Sequence, residues 1–145
     1  MEYTEIAPHG IRTNKEVMSN GEQRTRLIFS DGRTYIRTEA SKLGAWQNSH
    51  YHTALEETYL VQKGWIGFAE LIDGSLHLSV EKENNQCSVK PMVSHNVYLP
   101  ANSIIFTIKH GKSAQGDWHA SQVLDDLTKH LSEQQIKKIV EDSFI

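Results

Sequence analysis

Up to about His110, short runs in which apolar and polar residues alternate are separated by turn signals, the period-2 pattern of strands that bury one face. The first readable pair is RTRLIFS and RTYIRTE around Asp31-Gly32, a two-residue turn signal. That register sets Leu27 against Ile36 and Phe29 against Thr34 as a core face, and Arg26 against Arg37, Ile28 against Tyr35 and Arg24 against Glu39 on the other. A second pair, WIGFAEL and LHLSVEK, turns at Asp73-Gly74. It sets Leu71 against Leu76, Ala69 against Leu78 and Gly67 against Val80 on an apolar face, with Glu70 opposite His77. Residues 83–86 are polar turn material. The strand over 87–92 contains Pro91, which predicts an edge position or a bulge. HNVYLP then leads into a turn at Pro100 and a strand over 104–108, with Ile105 and Thr107 on one side and His110 on the other.

From Ser121 the period changes. Val123, Leu124, Leu127 and Leu131 form a helical stripe, and Ser132 with Gln135 makes a capping box that opens a second helix bearing Ile136, Ile139 and Val140. The chain is therefore read as a β unit over 1–112 and a helical extension over 113–145 packed on the same domain. A length of 145 residues accommodates one domain with a single core.

Composition narrows the function. No apolar run reaches the roughly 18 residues of a membrane span, and MEYTEIAPHG lacks the charged start and apolar centre of a signal peptide. The expectation is a cytoplasmic protein with no membrane partner, and the lone Cys87 fits a buried thiol in a reducing compartment. A net charge of −3 argues against a nucleic-acid partner, which calls for a basic stripe. Neither a phosphate loop nor a Gly-x-Ser-x-Gly nucleophile elbow is present.

The chemistry concentrates in GAWQNSHYHTALEETYLVQKG, residues 44–64. In an extended segment His50 and His52 share a face while Tyr51 points away. A reversal over 53–56 brings Glu57 towards them. Two imidazoles and a carboxylate suit a divalent iron, manganese, nickel or zinc ion. Glu56, one residue earlier, would face the other side of a regular strand, but chemistry alone does not choose between the two glutamates.

The spacing of Gly44, His50, His52, Glu57 and Gly64 resembles the first motif of the cupin superfamily. That resemblance implies a mainly β, jelly-roll β-barrel with the metal held inside by these side chains and a histidine from a second motif. The second motif departs from the pattern: Asn102 stands where glycine is usual after Pro100, and Ile105 stands where the histidine is expected. His95 and His110 flank the turn as possible substitutes.

Three readings follow. In the first, a small-molecule enzyme of oxygenase or isomerase class uses a metal on His50, His52 and Glu57. In the second, a metal-free sugar-nucleotide isomerase or epimerase uses His50 and His52 as acid and base. The third is a barrel that binds a small ligand without reacting it. Arg26 and Arg37, with Tyr35, either hold an anionic substrate group at the mouth or form a solvated face neutralised by Glu22 and Glu39. A homodimer is the expected assembly.

Overall fold

In a computed structural model of the chain, residues 2–6, 10–111 and 116–142 are described, with side chains from residue 10 onward. The strands are β1 (Glu2–Ile6), β2 (Arg12–Val17), β3 (Gln23–Ile28), β4 (Thr34–Glu39), β5 (Ala45–Trp46), β6 (His50–Tyr51), β7 (Glu56–Lys63), β8 (Trp65–Ile72), β9 (Ser75–Lys82), β10 (Gln86–Val89), β11 (His95–Leu99), β12 (Ile104–His110) and β13 (His119–Ala120). Helices α1 (Gln122–Thr128) and α2 (Glu133–Asp142) follow. Among the described residues the strands form two antiparallel sheets, ordered β1-β2-β3-β4-β12-β7-β10 and β13-β6-β11-β8-β9, with β5 also on β11. The expected jelly roll is present as two sheets face to face rather than one continuous hydrogen-bonded cylinder. No helix among the described residues is long and apolar enough to cross a membrane.

Tyr59, Val61, Ile66, Phe68, Val89, Val97, Leu99 and Ile105 pack as a buried cluster between the sheets. A second cluster, Trp46, Ala69, Tyr98, Leu124 and Ile136, lies where the helices cover the other face of β8 and β11. The apolar face read from the second hairpin belongs to this second cluster, because alternation along β8 sends Ile66 and Phe68 inward and Gly67 and Ala69 towards the helices. Its register is the one expected, including Glu70 against His77. The capping box also forms, with Ser132 N–H donating to Gln135 Oε1 at 2.8 Å and Gln135 N–H to Ser132 Oγ at 3.2 Å. As expected for a strand that runs into Pro91, β10 is an edge.

The first hairpin corrects the sequence reading. Its loop has three residues, 30–32: Phe29 N–H donates to Arg33 O at 2.9 Å, Gly32 N–H donates to Phe29 O at 3.0 Å, and Gly32 has φ +91°. This is the longer hairpin loop in which glycine takes the left-handed position. The pairs become Arg26 with Ile36, Thr25 with Arg37 and Leu27 with Tyr35. A one-residue slip moves a whole strand to the other face. Arg24 and Arg26 therefore point between the sheets beside Ile36, while Leu27 is exposed.

At the Pro100 turn Asn102 adopts φ +69°, a left-handed conformation that asparagine tolerates better than most residues, so the missing glycine does not distort the turn. Gly44 is less replaceable. It has φ +78°, and a Cβ there would lie 2.8 Å from Tyr98 Oη and 3.1 Å from Leu99 O.

Candidate metal centre

Strands β6 and β7 do not pair with each other; they lie in different sheets. The reversal expected over 53–56 is instead a crossing from one sheet to the other, and this places His50 and His52 across the interior from Glu57. Asp117 fixes the crossing. Its carboxylate accepts Thr53 N–H at 2.7 Å, Thr53 Oγ1–H at 2.5 Å, Ala54 N–H at 3.0 Å and Leu55 N–H at 3.3 Å. These donors, Thr53 first, hold the Asp117 carboxyl far below the usual carboxylate range.

His50, His52, Glu57 and His95 are all buried, and one donor atom from each lies within 4.8 Å of the others. Glu57 Oε1 is 3.1 Å from His50 Nε2 and 3.1 Å from His95 Nε2, and it also contacts His52 Nε2. The opposite ring nitrogens settle the tautomers. His50 Nδ1 lies 2.9 Å from Asn48 O, His52 Nδ1 2.5 Å from Asp117 O, and His95 Nδ1 3.0 Å from Val93 O. A carbonyl oxygen only accepts, so each Nδ1 carries the hydrogen, and in the neutral ring each Nε2 turns a lone pair towards the same carboxylate oxygen. Three lone pairs and an anionic oxygen repel unless a cation lies among them. This donor set, with each imidazole backed by a carbonyl, is the chemistry of a transition-metal site.

Without an ion, the contact can be favourable only if the facing Nε2 atoms carry protons: burial pushes the Glu57 carboxyl up, but hydrogen bonds from His50, His52 and His95 outweigh this and hold it well below the usual range, the charge balance that a cation among the four groups would supply instead. Burial lowers His50 despite Glu57, whereas for His52 burial is outweighed by Glu57 and the net direction is up. Glu57 Oε2 accepts the Tyr59 hydroxyl at 3.0 Å. Burial and the Glu57 charge push that phenol well above its usual range, so it remains a donor. Tyr59 is thus a positioning residue for the carboxylate. Tyr59→Phe should weaken metal affinity by about 10–100-fold while leaving the fold intact, as read by competition with a chelator.

His50, His52 and Glu57 stand together as the sequence indicated, and Glu56 is the outward neighbour, paired with His110 across β7 and β12. His95 joins them from β11, where it pairs with His50. His110 does not: its Nε2 is 3.2 Å from Thr58 Oγ1 on the outer face. Cys87 is buried enough for its thiol pKa to be pushed up to about 12, consistent with an inert thiol.

A pocket of about 270 Å³ opens beside the cluster, lined by His50, Glu57, Arg24, Arg26, Lys109 and Trp118 among others. Trp118 stacks on His50 with ring centroids 5.4 Å apart. Of the residues read as a substrate-binding group, only Arg26 is here. Tyr35 packs on Phe29, and Arg37 bonds to Glu39 at 2.6 Å on a well-exposed face, because the three-residue loop separates both from Arg26, which alone turns inward. Arg24, Lys109, Trp118 and Asp117 were missed by the sequence reading. For Lys109 a signal existed, since alternation from Ile105 through Thr107 reaches it next.

A two-sheet jelly roll with this imidazole and carboxylate cluster between its sheets has the architecture of the cupins. No family model and no curated protein matches the chain. Solved structures do. They include the cupin domain of Drosophila melanogaster CENP-C (TM-score 0.55, 12% identity, 68% of this chain and 75% of that one). A deletion mutant of Bacillus subtilis oxalate decarboxylase OxdC gives TM-score 0.62 at 14% identity, over 91% of this chain and 34% of that one. An RmlC-like cupin from Shewanella frigidimarina gives 0.56 at 23% identity, over 81% and 98%. The chain has a cupin fold.

Proposed function

We propose that the protein is a metal-dependent enzyme acting on a small molecule, of the oxygenase or isomerase class, in which His50, His52, Glu57 and His95 hold a divalent transition-metal ion. The observation that carries this reading is the convergence of three carbonyl-backed Nε2 atoms on Glu57 Oε1. Such an ion supplies Lewis-acid polarisation of a bound oxygen or, if redox-active, electron transfer.

The protein's own groups do the rest. Tyr59 holds the far oxygen of Glu57, and Asp117 O fixes the tautomer of His52. The pocket beside His50 and Glu57 admits a small molecule, its volume falling just below the roughly 300–1,000 Å³ of typical ligand sites. The oxalate decarboxylase likeness adds support for an enzyme on this fold. A metal-free acid-base pair of His50 and His52 leaves the placement of His95 without a reason.

The test is elemental analysis of untagged protein, comparing the unmodified chain with a His50→Ala, His52→Ala double variant. The reading expects near-stoichiometric metal that the double variant lacks. Unmodified protein that stays empty after incubation with iron, manganese, nickel and zinc overturns it. Once metal is present, dioxygen uptake separates the oxygenase class from the isomerase class.

A further inference from the structure

The inner face of the larger sheet forms a lattice that can be read row by row. Across β3, β4, β12 and β7 one row runs Ile28, Thr34, Lys109, Glu57 and the next runs Arg26, Ile36, Thr107, Tyr59. Arg24 lies one row further along, beside Thr38. Three cations, Arg24, Arg26 and Lys109, thus line the pocket with a single carboxylate, Glu57, among the described residues.

These cations are not equally satisfied. Arg24 bonds to Glu22 at 3.1 Å and Arg26 to Glu16 at 2.7 Å. Lys109 makes no ion pair or side-chain hydrogen bond with any described residue, although it stands directly across from Glu57. Glu57 is already engaged, with Oε1 among three imidazoles and Oε2 on the Tyr59 hydroxyl. Lys109 is half-buried, and burial lowers its pKa against the pull of Glu57, with Arg26 and Arg24 adding to the lowering. A half-buried ammonium with no acceptor among the described residues is costly, and the cost is removed by an anion arriving from solution. When Glu57 serves a metal ion, the imbalance grows.

We propose that Lys109, with Arg26 beside it, is an anion seat, and that the substrate of this pocket is a small molecule bearing a carboxylate or phosphate group. Lys109 supplies a point charge next to Glu57, and the Arg26 guanidinium supplies the planar donors that suit an oxyanion. The group seated there directs the rest of the molecule towards His50 and Trp118. This deepens the small-molecule reading of the same site and rests on it.

The probes are malonate, inorganic phosphate and, as a neutral control of similar shape, malonamide. Each is titrated by calorimetry into metal-loaded and metal-free protein at constant ionic strength, with metal content measured before and after. At least one anion is expected to bind while malonamide does not, and the preferred anion distinguishes a carboxylate from a phosphate ligand. Lys109→Met should weaken that binding by about 10–100-fold, Lys109→Arg should restore most of it, and neither should change metal content. Arg26→Gln gives an independent reading if Lys109→Met fails to fold. The seat is overturned if neither anion binds the unmodified protein, if malonamide binds as well as the anions, or if the variants bind anions undiminished. Metal content alone reports on the metal reading: anion binding that needs Lys109 in protein that takes up no metal leaves the seat standing while the metal reading falls.

Discussion

Replacing His95 with alanine is expected to release the metal as effectively as replacing His50, while His110→Ala leaves affinity unchanged. Both histidines flank the Pro100 turn, but only one faces the interior. His95 Nε2 is 3.1 Å from Glu57 Oε1, and His110 bonds to Thr58 on the outer face. Loss of a ligand should cost more than the about 10–100-fold typical of losing a supporting contact. Competition with a chelator gives the number, and circular dichroism confirms the fold of each variant. Equal affinities for His95→Ala and the unmodified protein would remove His95 from the site and return the centre to two histidines and one glutamate.

Ile136→Ala should produce the largest loss of stability that spares the site. Ile136 is 0% exposed and lies over Gly67, where a Cβ would sit 3.2 Å from Ile136 Cγ2. Emptying such a position costs about 2–5 kcal/mol, or a Tm lower by roughly 6–15 °C for a chain of this size. Metal affinity should change little, because α2 covers the face of β8 that points away from the cluster. An unchanged Tm would mean that the helices contribute little to the fold.

What the sequence made legible follows from how locally each feature is determined. The second hairpin was readable because its alternation and its Asp73-Gly74 turn agree. The α2 capping box was readable because it lies within four residues. Parity along a strand made His50 and His52 legible as a pair on one face, whereas Glu57, which lies in the other sheet, was picked out over Glu56 by its cupin-like interval to Gly64.

The first hairpin was not, because an Asp-Gly pair is compatible with loops of two or three residues. That one residue decides whether Arg37 shares a face with Arg24 and Arg26 or lies on the opposite one. His95, named beside His110 as a substitute ligand, could not be told apart from it for a different reason. Its approach depends on β11 pairing with β6 and β8, a long-range arrangement that no spacing near Pro100 encodes. Parity did carry a trace of it, since Val97 and Leu99, both fully buried, lie on the same side of β11 as His95. Asp117 was invisible for the same reason: it acts on residues 53–55 from more than 60 positions away.

What would surround the metal can be measured directly. X-ray absorption of the metal-loaded protein should show three imidazoles and at least one carboxylate oxygen in the first coordination shell, with one imidazole lost in His95→Ala. A spectrum with no imidazole scattering, or one that His50→Ala, His52→Ala and His95→Ala all leave unchanged, would place the metal elsewhere and contradict the convergence on Glu57.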